Sequence, residues 1–414
     1  MDTDVLIFGG GIAGLWALDR LTQLGYDAAL FEANALGAGQ TIAAQGIIHG
    51  GMKYALQGSL TSSAANIRDM PSLWRDCLSG NCEPNLQSAT VRSELCHLWR
   101  TDSVTSRLGM LGARIGLRVA PTHLNASNRP AVLAECPGTV AEMNEQVIDP
   151  ASVLDALRTR HESRLFQIDA DATKFQLGED SVIESVSVRN QIDAAIEWRP
   201  RTTIFCAGSG NAKLLQSVGC ESPPMQRRPL HMVLLRGDLP ILNGHCVDGA
   251  KTRVTITSTT DRAGRTIWQV GGQIAEDGIH MDEAELFARA AADLSEVLPG
   301  WNFDDVEISC HRVDRAERLT TGFKRPDTFQ MVEQKNWIAA WPTKLALAPL
   351  MAEHLAELVA SRVGTSTAKS DEAKVDQRLA NWTRPQVAQP PWEFVTNWTA
   401  LANYITPKSR RRAA

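Results

Sequence analysis

The strongest constraint on this chain is a glycine-rich turn set between a strand and a helix within its first 32 residues. Val5-Leu6-Ile7-Phe8, behind Asp4, is a short unbroken apolar run, the pattern of a strand buried on both faces. It leads into Gly9-Gly10-Gly11-Ile12-Ala13-Gly14, which satisfies GxGxxG. Leu15, Ala17, Leu18, Leu21 and Leu24 then recur at helical spacing, and Gly25 offers a C-terminal stop. A second strand, Ala28-Ala29-Leu30-Phe31, ends at Glu32, near the interval of about 20 residues that places an acid on a ribose. Gly9 permits the tight turn, Gly11 lets backbone approach a pyrophosphate, and Gly14 lets helix and strand pack closely. The opening amides of the helix offer hydrogen bonds and positive dipole to phosphate. Strand, glycines, helix, strand and acid in this order predict a dinucleotide site. The glycines alone do not separate FAD from NAD.

Composition narrows the class. At roughly 150 residues per domain, 414 residues predict two or three domains. A net charge of −5 argues against a general nucleic-acid binder. No run of about 18 apolar residues suits a membrane span, and the opening DVLIFGG lacks the charged leader of a signal peptide. The eight cysteines are scattered without a CxxC, which fits reduced thiols in a cytoplasmic protein better than disulfides or zinc. No metal-ligand spacing and no Ser/His/Asp arrangement stands out, so no metal is expected.

After Glu32 the chain reads ANALGAGQTIAAQGIIHGGMKYALQGSL. This resembles the second flavin-contacting stretch of the D-amino-acid-oxidase-like (DAO) superfamily of FAD enzymes. Ile48-His49-Gly50-Gly51-Met52-Lys53-Tyr54 is similar to the IHGGLRY signature of FAD-dependent glycerol-3-phosphate dehydrogenases, and Gly58-Ser59-Leu60 resembles the L-2-hydroxyglutarate oxidase branch. QVIDPASVLDAL (146–157), RTTIFCAGSGNAKLL (201–215), GFKRP (322–326) and WPTKLALAPLMAEHLAELV (341–359) resemble later superfamily segments, in the same order. The resemblance, also to glycine oxidases, implies an α/β fold: a Rossmann-like FAD-binding domain of glutathione-reductase type with a second, antiparallel β-rich substrate domain of α+β character. It implies FAD contacts at Gly9, Gly11, Ile12, Ala13, Gly14, Glu32, Ala33, Thr41, Ala44, Gln45, Gly46, Ala172, Cys206, Ala207, Gly208, Lys344 and Leu345. The chain also departs from these relatives. Lys53 replaces the arginine of IHGGLRY, and Trp341-Pro342-Thr343 stand where a glycine pair precedes the lysine. The large C-terminal helical domain of the glycerol-3-phosphate enzymes has no counterpart here. Glycerol 3-phosphate is therefore not assigned as the substrate.

Flavin oxidation of a C–H bond beside oxygen or nitrogen requires a positioned carbon, an acceptor for the departing proton and positive charge near the reduced flavin. His49 is the candidate proton acceptor, its ordinary pKa of about 6.5 suiting neutral pH. Lys344 resembles the lysine at the flavin's pyrimidine edge, where a fixed cation stabilises the reduced ring. Lys53, Tyr54 and Arg325 are candidates to hold an anionic group, and Arg315 or Arg318 is expected to reach the same pocket. Cys206 reads as a small packed residue. These residues predict an FAD-dependent dehydrogenase or oxidase acting on a small anionic hydroxy acid or polyol phosphate, with quinone or oxygen as acceptor. An amino-acid or secondary-amine oxidase and a non-catalytic flavoprotein in assembly or redox sensing are the alternatives.

The cofactor domain is expected from residues 1–85, 146–220 and 310–365, and the substrate domain from 86–145 and 221–309. RAGR (262–265) reads as a hairpin turn, residues 282–300 as a helix, and Asp149-Pro150 as a helix cap and first residue. Residues 366–414 are expected to form a linker, a C-terminal helix and a basic tail. Trp392, Val395, Trp398, Ala402 and Ile405 share one helical face there, ahead of Lys408 and Arg410–Arg412. Such a helix docks on the body or makes peripheral contact with the inner face of a membrane.

Overall fold

A computed structural model describes residues 1–50, 67–101, 121–190, 195–248, 251–364 and 377–405. The apolar run forms strand β1 (Asp2–Phe8), helix α1 spans Ile12–Gln23, and strand β2 spans Ala28–Glu32. Parallel pairing orders the first sheet as Trp337–Trp341, Ile196–Phe205, β1, β2 and Leu165–Gln167. Gln330–Glu333 pairs antiparallel on one edge, and the hairpin Lys174–Leu177/Ile183–Val188 extends Ile196–Phe205. Neighbouring β1 side chains enter two different cores. Val5 and Ile7 pack with Leu15, Leu18 and Leu355, while Leu6 and Phe8 pack with Phe31, Phe205 and Trp337. Full burial of each such side chain contributes roughly 1.5–3 kcal/mol, which explains why β1 is apolar from Val5 to Phe8.

The second sheet is antiparallel apart from one parallel pair, Gly244–Asp248 with Cys96–Arg100. Its longest pairing joins Met225–Gly237 to Val306–Arg318 in unbroken register from Met225↔Arg318 to Gly237↔Val306. One face, carrying Val233, Leu235, Trp268 and Ile308, packs beneath helix Glu283–Val297. That helix opens with a full capping box between Asp282 and Glu285. The expected turn at 262–265 closes with a hydrogen bond from Asp261 N to Arg265 O (3.0 Å). Asp149 caps helix Pro150–His161 through Ala151 N (2.9 Å).

Two expectations need correction. The cofactor-domain boundary expected at residue 310 falls inside strand Val306–Arg318, which belongs to the second sheet over its whole length; the first sheet resumes only at Gln330. The expected amphipathic C-terminal helix does not form. Residues 386–405 run as an extended strap with single turns at Pro391–Glu393 and Leu401–Tyr404. Pro390 and Pro391 resist continuous helix, and Asn397 holds its segment to the body through Ser309 Oγ (3.1 Å to its carbonyl) and Glu283 (2.7 Å). Trp392 packs on Leu234 and Ile267, and Arg236 stacks over the Trp398 ring at 4.1 Å. Of the two expectations for this segment, docking on the body is seen: Trp392, with Val395 and Trp398 partly buried beside it, packs on the second sheet. Lys408 and Arg410–Arg412 lie outside the described residues. Among the described residues no helix is long and apolar enough to cross a membrane.

Candidate active site

A cavity of about 1100 Å³ opens beside the glycine-rich turn and runs to the second sheet, just above the range usual for small-molecule sites. Its lining includes Gly9, Gly11, Ile12, Ala13, Glu32, Ala33, Thr41, Ala44, Cys206, Ala207, Gly208, Lys344 and Leu345. The glycines serve backbone proximity. Gly9 has φ +105°, and a Cβ there would lie 2.4 Å from Ala207 Cα. A Cβ on Gly14 would lie 2.0 Å from Gly9 O, so that glycine packs the helix on its own turn instead of lining the cavity. Around Gly11 the nearest atom to a Cβ is Thr41 Oγ1, at 3.2 Å, leaving room for a ligand's phosphate. Thr41 Oγ1 accepts from Ile12 N at 3.2 Å, and the remaining opening amides of α1 have no intrahelical acceptor. Glu32 accepts from Gly10 N (2.6 Å) and Asn34 N (2.8 Å). Burial raises its carboxyl pKa against these backbone bonds. It keeps lone pairs for a ribose hydroxyl while pinning the turn. This donor set fits an FAD.

Other expected contacts fall elsewhere. Gln45 ties the segment before strand Ile47–Ile48 to the second sheet, its Nε2 donating to Thr255 O and Gln269 O (both 2.9 Å) while Gln269 Nε2 donates to Ala43 O (2.9 Å). Gly46 (φ +78°) lies against Ile148 O, which a Cβ would approach to 2.1 Å. Ala172 stands one residue off the lining, which takes Ala170 and Thr173 instead. Burial lifts the Cys206 thiol to about 12, consistent with a packed and inert residue.

Lys344 is 4% exposed and lines the cavity. Its ammonium donates to Asp327 O (3.1 Å), and the preceding Thr343 holds φ +57°. That left-handed turn explains the glycines of the relatives at this place; here a β-branched residue occupies it. His49 follows strand Ile47–Ile48, is half-buried, and does not line the cavity. Lys53 and Tyr54 lie outside the described residues. Arg325 joins a group that the sequence reading saw only in part. Arg315 Nη1 meets Glu276 Oε1 at 3.0 Å, and Arg228 stands 3.8 Å from Glu276 and 3.7 Å from Glu317. Arg325 Nε is buried without a partner. Burial raises the Glu276 pKa, but the charges of Arg315, Arg228 and Arg325 outweigh it and hold the group below its ordinary value. Arg228 and Arg315 oppose one another in register, on the sheet face that also carries Met232 and His311. These arginines sit beside the cavity, whose wall is formed by Val313, Asp314 and Ala316 of the same strand. Arg318 turns away to Met331 O (3.2 Å). The sequence reading missed Arg228, His311 and the strap residues Val387, Ala388, Phe394 and Val395, all but Arg228 cavity-lining. The two prolines at 390–391 were a usable signal for the strap; His311 and Arg228 reach this region only through the long-range register of their two strands.

Residues 4–358 match the family described as DAO, FAD dependent oxidoreductase. A probable FAD-dependent oxidoreductase of Pseudomonas aeruginosa, PA4991, is 36% identical over 398 residues, covering 95% of this chain and 98% of that protein. Its crystal structure superposes with a TM-score of 0.79 at 33% identity, over 95% of this chain and 98% of that one. L-α-glycerophosphate oxidase of Mycoplasma pneumoniae, solved with FAD bound, gives 0.60 at 14% identity, over 94% and 97% of the two chains. Glycine oxidase of Geobacillus kaustophilus gives 0.56 at 15%, over 90% and 97%. The chain belongs to the DAO family and is an FAD-dependent oxidoreductase. FAD bound here would supply two-electron redox chemistry, and Gly9, Gly11, the first turn of α1, Glu32 and Lys344 line the cavity where they could hold it.

Proposed function

We propose that the protein removes a hydride from a C–H bond beside a hydroxyl of a small anionic metabolite, a hydroxy acid or polyol phosphate, and passes the electrons to a quinone or oxygen. The observation that supports this reading is the group of Arg228, Arg315 and Arg325 facing Glu276 and Glu317, three positive charges against two negative. The unbalanced cation suits a carboxylate or phosphate, and guanidinium groups bind either bidentately. Buried Lys344 adds a cation to the cavity lining itself. The eight free thiols suit a reducing cytoplasm.

Anaerobic mixing of the FAD-loaded protein with hydroxy acids, polyol phosphates and amino acids tests the reading, with bleaching of the visible flavin band as readout. Bleaching by a hydroxy acid or polyol phosphate is expected. Bleaching by amino acids alone would instead identify an amine oxidase, and no bleaching by any compound would favour a non-catalytic flavoprotein. Oxygen uptake against reduction of a soluble quinone then separates the acceptors.

A further inference from the structure

His311 lies on strand Val306–Arg318, opposite Met232 in register and on the same face as Arg315. That face meets the cofactor domain: a Cβ on Gly271 would lie 2.7 Å from Gln45 Oε1 and 3.0 Å from Met232 Cε. The residue lines the main cavity together with Lys344 and the glycine-rich turn. Both ring nitrogens are buried from water, and neither has a hydrogen-bond partner. Two other histidines of the second sheet are engaged, whereas His97, whose Nδ1 is likewise unpartnered, does not line the cavity. His231 bonds Gly278 O (3.0 Å) and Cys310 Sγ (3.1 Å), and His245 bonds Thr255 Oγ1 (2.8 Å). Leaving a buried polar group unmatched costs about 1–3 kcal/mol, so an imidazole with two such atoms on a ligand cavity calls for a ligand. Burial, with a smaller contribution from His231, lowers the pKa of His311 to about 4, which keeps one nitrogen a free acceptor at neutral pH.

We infer that His311 touches the substrate at its reacting oxygen and accepts the proton of the hydroxyl. The inference rests on the substrate reading above. The O–H bond breaks and its proton moves to a ring nitrogen of His311. The O–H electron pair becomes the second bond of the new carbonyl, and the C–H pair leaves as a hydride to the FAD. The substrate loses one proton and one hydride and is oxidised by two electrons; the FAD is reduced by two.

The test uses the full-length, FAD-loaded protein and His311→Ala, mixed anaerobically with L-lactate, L-2-hydroxyglutarate, sn-glycerol 3-phosphate, glycine and L-proline. With whichever compound bleaches the unmodified protein, His311→Ala is expected to keep its flavin spectrum. Its reduction at saturating substrate should slow at least ~100-fold, and free imidazole should restore part of the rate. An unchanged rate, or a slowed rate that imidazole does not lift, overturns the inference. Should His311→Ala fail to hold FAD, His311→Gln takes its place, with a ~100-fold loss expected and an unchanged rate again decisive against. If nothing bleaches the unmodified protein, the substrate reading fails by itself. His311 is then judged by titrating oxidised protein with pyruvate and 2-oxoglutarate: a flavin difference spectrum lost in His311→Gln supports the contact, and an identical response or none in the unmodified protein overturns it.

Discussion

Thr343 holds a left-handed turn that an L side chain adopts only at a cost of roughly 1–2 kcal/mol, and its hydroxyl offsets part of that by donating to Thr328 O at 3.0 Å. The two terms are comparable, since a hydrogen bond contributes about 1 kcal/mol. Thr343→Gly is therefore expected to change stability by less than about 1 kcal/mol, whereas Thr343→Val, which keeps the strain and loses the bond, should cost about 1–2 kcal/mol in urea unfolding. Gly9→Ala places a methyl against Ala207 backbone at φ +105°. Strain of this kind costs about 1–3 kcal/mol, so FAD affinity should fall roughly 10- to 100-fold, read from flavin retained after dialysis. His311 gives a pH signature of definite sign. Its folded pKa of about 4 lies below its ordinary 6.5. Between those values the unfolded chain carries a proton that the folded protein does not, so stability falls as pH drops from about 6.5 toward 4. Unfolding at pH 7 and pH 5 should differ by about 2 kcal/mol more in the unmodified protein than in His311→Gln.

Elements differ in how far their own residues announce them. β1, the glycine turn, α1 and β2 were legible because each step is local: an apolar run, a turn only glycine fits, a helical stripe. Helix Pro150–His161 and its Asp149 cap were legible for the same reason. The strap at 386–405 was misread because Trp392, Val395 and Trp398 satisfy helical spacing while their partners lie on a distant sheet. Leu234 and Ile267 cover Trp392, and no local pattern encodes that pairing. Arg228 and Arg315 are 87 residues apart in sequence and adjacent in space, so the arginine group was visible only by halves. The strap makes a test at this scale. Trp392→Ala should lower stability by about 3 kcal/mol; an unchanged urea midpoint would mean that the tryptophan covers nothing of consequence.

At the scale of the molecule, two sheets share one cavity, and a pair of side-chain amides helps to fix their spacing. The reciprocal amides of Gln45 and Gln269 join the glycine-rich domain to the second sheet at three points. Gln45→Ala removes two of them without touching the cavity lining. FAD should be retained, while flavin reduction by an active compound slows about tenfold through loosened alignment; loss of FAD at an unchanged rate would refute this division of labour.

The strap adds an ordering in time. It clips to Leu36 through Leu36 N to Gln386 O (2.8 Å) and Ala388 N to Leu36 O (3.0 Å), then supplies a wall of the cavity with Val387 to Val395. In a nascent chain the vessel for the pigment therefore lacks a side until residues near 395 have emerged. A chain halted at residue 380 should stay colourless when supplied with FAD, and one halted at 405 should turn yellow.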